Sequence, residues 1–194
     1  MTPRKAIGIA MSCLTMTLLI GCEQQTTSME QAMKPPPRPA ELDMLDKWVG
    51  NWNGTGEMTM YTKEGAKPMK ATYNEQIEWI AGRQFLLSRS EMNMGEGETM
   101  QMAGIMGWDK DEKEIHGWNF MSNGDTETME MEYNKTAGLW ELEGRGKDPM
   151  TGQPARSEGT MKMVDDNTIE WQFTMWDSWK LNKIMDGKGT SKKQ

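Results

Sequence analysis

Residues 168–175 run Thr168-Ile169-Glu170-Trp171-Gln172-Phe173-Thr174-Met175. A large apolar side chain stands at every second position, with Glu, Gln and Thr between. A period of two puts Ile169, Trp171, Phe173 and Met175 on one face of an extended strand and the polar set on the other. Such a strand has one dry face and one wet face, as in antiparallel sheets.

The same alternation recurs outward in both directions. Downstream, Trp179, Leu181 and Met185 close the series. Upstream, Met161 and Met163 alternate with Thr160 and Lys162, and Trp140 and Leu142 with Glu141 and Glu143. Met129, Met131 and Tyr133 alternate with Thr128, Glu130 and Glu132. Earlier still come Met100, Met102, Met106 and Trp108, then Leu86, Met92 and Met94, then Tyr73, Ile77 and Trp79, then Trp52, Met58 and Met60. Gly-, Asn- and Asp-rich breaks separate the runs, as at Asn123-Gly124-Asp125 and Asp165-Asp166-Asn167. Such breaks between alternating runs predict hairpins. The chain is therefore expected to be all-β, with about ten antiparallel strands. A sandwich or a closed meander would satisfy the pattern. Closure removes exposed edges and suits short, regular hairpins, so an up-and-down β-barrel is the preferred reading.

One segment breaks the period. In Ala40 to Val49, Leu42, Leu45, Trp48 and Val49 share one helical face, with Glu41, Asp43, Asp46 and Lys47 elsewhere. Pro39 suits the first turn and Gly50 a C-terminal cap. So short a helix must pack on the barrel, capping or flanking one mouth.

The composition is unusual for a folded chain. Of 194 residues only 24 are Leu, Ile, Val or Phe, against 22 Met and 9 Trp, and the net charge is -7. Few aliphatic residues with high charge ordinarily mark disorder. Here Met and Trp carry the period-two pattern, so the barrel is built from polarizable side chains. The acidic balance excludes a nucleic-acid partner, which needs clustered Lys and Arg.

The first 22 residues form an address. Arg4 and Lys5 precede an apolar stretch, Ala6 to Ile20, of signal-peptide length. Its end, Leu19-Ile20-Gly21-Cys22, resembles the bacterial lipobox. That resemblance implies a signal over residues 1–21 and lipidation of Cys22 as the first mature residue. The expected organisation is then a lipidated Cys and Pro-rich tether over 22–40 and a barrel over 41–192. Pro35-Pro36-Pro37-Arg38-Pro39 reads as a stiff spacer. Cys13 would leave with the signal, so the mature chain has no disulfide and no Cys nucleophile. The expected partner is the lipid bilayer, through acyl chains. The expected location is the bacterial cell envelope, with Glu23 after the Cys favouring the outer membrane by resemblance to an enterobacterial sorting rule.

The run Pro39-Ala40-Glu41-Leu42-Asp43-Met44-Leu45-Asp46-Lys47-Trp48-Val49-Gly50-Asn51-Trp52 resembles the opening of an exported bacterial family, domain of unknown function 1579. Gly107-Trp108-Asp109 followed by Trp118-Asn119, and Asp148-Pro149-Met150-Thr151-Gly152, resemble two later motifs of that family. The resemblance spans residues 39 to 192. It implies a calycin relative, similar to lipocalins, with a cavity and no established activity.

Catalytic constellations are missing from the sequence. His116 is the only histidine, and no Gly-x-Ser-x-Gly occurs. Neither an enzyme nor a resident metal or cofactor is expected. The pairs Met58/Met60, Met92/Met94, Met100/Met102, Met129/Met131 and Met161/Met163 could bind Cu(I) or absorb oxidant, but they fit barrel filling better. The expected function is binding of a small apolar or amphipathic ligand. The candidate lining is Met58, Met60, Tyr73, Met100, Met102, Trp108, His116, Trp118 and Trp171. The alternative is an accessory lipoprotein acting through its outer surface.

Overall fold

The computed structural model describes Lys34, residues 36–95 and residues 99–194. The signal, Cys22 and the tether before residue 36, Lys34 aside, lie outside the described residues. Ten strands follow one short helix: β1 Gly50–Thr62, β2 Gly65–Ile80, β3 Phe85–Asn93, β4 Thr99–Asp109 and β5 Glu114–Met121. Then come β6 Thr126–Asn134, β7 Leu139–Lys147, β8 Pro154–Asp165, β9 Thr168–Asp177 and β10 Lys183–Lys193. Each pairs antiparallel with its sequence neighbours, and β1 pairs with β10, so the sheet closes into an up-and-down barrel. Among the described strands no edge is left unpaired, which is the physical return on the regular hairpins.

The N-terminal segment is a 3-10 helix, Ala40–Trp48, and not an α-helix. Leu42, Leu45 and Trp48 are spaced by three, which is the period of a 3-10 helix, so all three eclipse onto one line. Such helices seldom exceed about four residues, and this one persists because that line is buried. Leu42 and Leu45 have no exposed surface, and Trp48 is 4% exposed. Val49, with extended backbone, caps the helix in place of Gly50, which opens β1.

The helix plugs one end of the barrel. Its apolar line packs with Trp52, Ile77, Leu86, Met106, Ile115, Met131, Trp140 and Ile169, all buried. Trp48 meets Trp140 edge-on at 5.8 Å, and Trp52 Nε1 donates to the Trp48 carbonyl at 2.7 Å. Outside this plug, Asp46 ties the helix to the wall. Its carboxylate accepts from Arg38, Arg83 and Trp79 Nε1, each at 2.8 Å. Arg38 also stacks over the Trp79 ring at 4.5 Å and donates to the Leu42 carbonyl. Residues 36–39 are thus docked on the barrel, where the sequence reads as spacer. The partial burial of Asp46 works against its charge, but the hydrogen bonds and the two guanidinium groups prevail and lower its pKa.

Candidate binding site

The ladder register decides which residues face inward. Buried Trp52, Gly54, Gly56 and Met58 set the inward parity of β1, and cross-strand partners share a face. Trp52 pairs with Glu75, Gly54 with Tyr73 and Met58 with Met69. Propagating the register around the barrel sends Ser88, Ser90 and Met92 of β3 inward, with Met100, Met102 and Gly104 of β4. Asn119 and Met121 of β5 and Glu127 of β6 follow. On the last strands Trp171, Phe173 and Met175 face in opposite Gly189, Gly187 and Met185.

Three levels result. At the helix end lies the aliphatic and Trp plug. At the opposite end nine inward methionines line the wall: Met58, Met60, Met69, Met92, Met100, Met102, Met121, Met175 and Met185. Several are direct cross-strand partners: Met58 with Met69, Met92 with Met100, Met102 with Met121, and Met175 with Met185. All but Met58 keep solvent-reachable surface. A ten-stranded barrel is wider than the eight-stranded kind whose interior side chains just fill.

Between the two lies a polar belt. Tyr73 and Ser191 hydroxyls share a hydrogen bond across Gly54. Glu127 accepts from Ser157 at 2.9 Å and from Asn119 at 3.4 Å. Glycine makes room for these side chains: a methyl at Gly144 would stand 2.1 Å from Ser157 Oγ and 2.5 Å from Glu127 Oε1. Trp171 likewise lies flat over Gly56 and Gly189. Its indole N–H is buried without an acceptor among the described residues. Glu75 sits beside Tyr73 with no ion pair or hydrogen bond among the described residues. Burial alone pushes its pKa up to about 7. The residue as a whole nevertheless keeps some accessible surface.

Of the nine proposed lining residues, Met58, Met60, Tyr73, Met100, Met102 and Trp171 share this interior. Trp108 faces inward too, but at the plug, where it packs against the core. His116 and Trp118 do not line the interior. Ile115, Gly117, Asn119 and Met121 hold the inward face of β5, so the 116, 118, 120 set faces out. Trp118 is 46% exposed. The misreading arises because the outward face of β5 carries its large rings and the inward face carries Gly and Asn. His116 Nε2 stands 2.8 Å from Glu114 and 3.1 Å from Glu112. These three residues bring ligand-type atoms within 4.8 Å of one another on the outer wall.

Sequence reasoning missed Glu75, Glu127 and Ser191. Parity was the available signal, since Glu75 stands in step with Tyr73, Ile77 and Trp79, and Glu127 with Met129 and Met131. Three concavities of about 760 to 790 Å³ lie on the outer wall. Exposed side chains such as Glu57 and Lys188 line the first two, and Asn53, Gln76 and Gln101 the third, as expected of a twisted sheet's saddles.

The family model described as a protein of unknown function, DUF1579, matches residues 38–189. The chain belongs to the DUF1579 family. Solved structures similar to this DUF1579 barrel include the S-type phycobiliprotein lyase CPES from Guillardia theta. That protein is 12% identical, with a TM-score of 0.58 over 81% of this chain and 94% of its own. Rv2717c from M. tuberculosis is 14% identical, also at 0.58, over 81% of this chain and 99% of its own. At such identities the likeness establishes the lipocalin-like barrel fold. No curated protein matches the DUF1579 chain in sequence. Among its described residues, no helix is long and apolar enough to cross a membrane.

Proposed function

We propose that this protein binds a small amphipathic ligand inside the barrel, by burial and without covalent chemistry. One observation carries the reading: inward side chains are sealed at the helix end and partly accessible toward the methionine end. That is the asymmetry of a cup. Flexible thioethers and flat aromatic rings adapt to an apolar body, and the polar belt offers hydrogen bonds to a head. The Cys22 lipobox adds that the cup is tethered to a membrane of the bacterial envelope through acyl chains.

Two experiments test these parts. Native mass spectrometry of residues 36–194, purified without detergent, should show a bound small molecule, and adding decanol should change the tryptophan fluorescence of the parent but not of Trp171→Phe. A chain that carries nothing and shows no fluorescence change contradicts the cup. Cells fed a labelled fatty acid should label the full chain but not Cys22→Ser; equal labelling removes the anchor.

A second reading rests on the directly opposed methionine pairs. Cross-strand partners bring thioethers within reach of one soft ion, so Cu(I) is the alternative occupant. Titration with Cu(I) under reducing conditions should show at least micromolar binding if this reading holds, and none if it fails.

A further inference from the structure

Glu75 is the acidic group that the fold leaves unexplained. It occupies an inward position opposite Trp52 on β1 and Ser90 on β3. Neither neighbour neutralises it. Its sequence neighbour on the same face, Tyr73, is engaged with Ser191. A carboxyl group away from water and without a partner costs free energy in its charged form, so an interior selected only for packing would not keep one.

The other charged groups of the interior sharpen the point. Among the described residues, the titratable groups with inward parity are Lys67 and Tyr73 on β2, Glu127 and Tyr133 on β6, and Lys193 on β10, with Asp177 at the far rim. Lys67, opposite Met60 at the methionine rim, is exposed and donates to Glu64 at 2.9 Å. Lys193 is committed elsewhere. Its ammonium donates to the Lys47 carbonyl at 3.1 Å and lies 5.3 Å from the Trp52 ring centre, at the plug. Asp177 is spent on its own turn, where it accepts from the backbone of Leu181 at 2.9 Å. Glu127 is held by Ser157 and Asn119. The binding space therefore has two carboxyl groups and no free cation. Arg89, the nearest basic residue along β3, faces outward and pairs with Glu78 at 2.7 Å.

We infer that the ligand is an organic cation: an amine whose ammonium pairs with Glu75 while its apolar body lies among Met92, Met100, Met102 and Phe173. This deepens the cup reading and rests on it. The chemistry discriminates sharply. An ammonium supplies the donors and the charge that Glu75 lacks, and Tyr73 and Trp171 offer ring faces to its positive end. A carboxylate of the same length, such as a fatty acid, would place a second negative charge beside Glu75 and Glu127 with no cation to offset it. Below neutrality the pairing has a definite proton balance. Neutral Glu75 loses its carboxyl proton to the buffer as the ammonium docks, and no bond in the ligand changes.

The test compares three probes of one length on the full chain: decylamine, decanol and decanoate, by isothermal titration at pH 6.0. The amine should bind at least tenfold more tightly than decanol, and decanoate weakest of all. Repeating the amine titration in buffers of different ionisation enthalpy should show close to one proton released per ligand at pH 6.0 and far fewer at pH 8.5. Glu75→Gln, which keeps shape, should bring the amine to the decanol level, change decanol far less than the amine and abolish proton release. Glu127→Gln should change the amine less. If decanol binds and the amine shows no preference, or if Glu75→Gln keeps the preference, the inference is overturned and the cup survives. If none of the three binds, both fall.

Discussion

The two ends of this barrel share one wall and one alternation, yet they are built from different materials. The helix end uses Leu42, Leu45, Trp48, Trp52, Ile77 and Leu86, all buried. The far end uses methionines that remain partly accessible, with a rim where Trp179 and Leu181 are 81% and 79% exposed. Asp177 holds that rim turn, accepting from the backbone of Trp179, Leu181 and Asn182. Stability is concentrated where branched and aromatic side chains interlock, and adaptability where thioethers do not. Sites that must accept a guest are drawn from the less stable part of a fold.

The largest effect that would sharpen this contrast comes from truncating the plug. Trp48→Ala should cost about 3 to 5 kcal/mol, since it removes a buried ring and leaves a cavity. Met102→Ala, at a partly accessible site, should cost about 1 kcal/mol or less. Chemical denaturation of the two variants measures the difference directly. Equal costs would erase the distinction between the ends.

Next in size is the pH dependence of the polar belt. Glu75 has a folded pKa of about 7, raised above its value in the unfolded chain, near 4.5. The folded state therefore holds a proton that the unfolded state releases. The contribution of Glu75 to stability is most favourable below pH 4.5, falls as pH rises toward 7, and levels off above. The loss amounts to roughly 3 kcal/mol across that window. Glu75→Gln should flatten this part of the stability profile and be the more stable form at pH 8.

Smaller still is the external strap on the plug. Asp46→Ala removes the acceptor shared by Arg38, Arg83 and Trp79. Because Asp46 is 41% exposed, solvent screens these pairs, and the cost should be about 1 kcal/mol. The depressed pKa of Asp46 means that its contribution is present at neutral pH and fades as pH falls through the acid range. Thermal melts at pH 7 and pH 3 should show the variant's deficit only at pH 7. The smallest effect belongs to the rim: Trp179→Ser should leave stability within about 0.5 kcal/mol of the parent, because that ring touches little in the folded chain.

Most of the wall was legible in the sequence, and the reason is physical. A period of two survives any choice of apolar residue, so Met and Trp could carry it as well as Val and Ile. The helix was legible in place but not in kind, because spacing of three and four both occur in Leu42, Leu45, Trp48 and Val49. The site was partly legible. Met60, Met100 and Met102 followed from parity, whereas His116 and Trp118 were misplaced because β5 reverses the usual distribution of large and small residues. Glu75 and Glu127 stayed hidden because carboxylates are ordinarily assigned to the wet face, although each stands in step with the apolar residues of its own strand. Arg38 was hidden for another reason: Asp46, Trp79 and Arg83 come to it from distant parts of the chain.

Hydrogen peroxide footprinting with mass spectrometry tests the cup most directly. Each thioether reports its own access to the oxidant as a sulfoxide. The account predicts that Met60, Met92, Met100, Met102 and Met121 oxidise early and that Met106 and Met131, sealed in the plug, oxidise last. Decylamine should slow the first group and leave the second unchanged. Equal rates at the two ends, or no protection by any bound probe, would contradict a barrel closed at one end and receptive at the other.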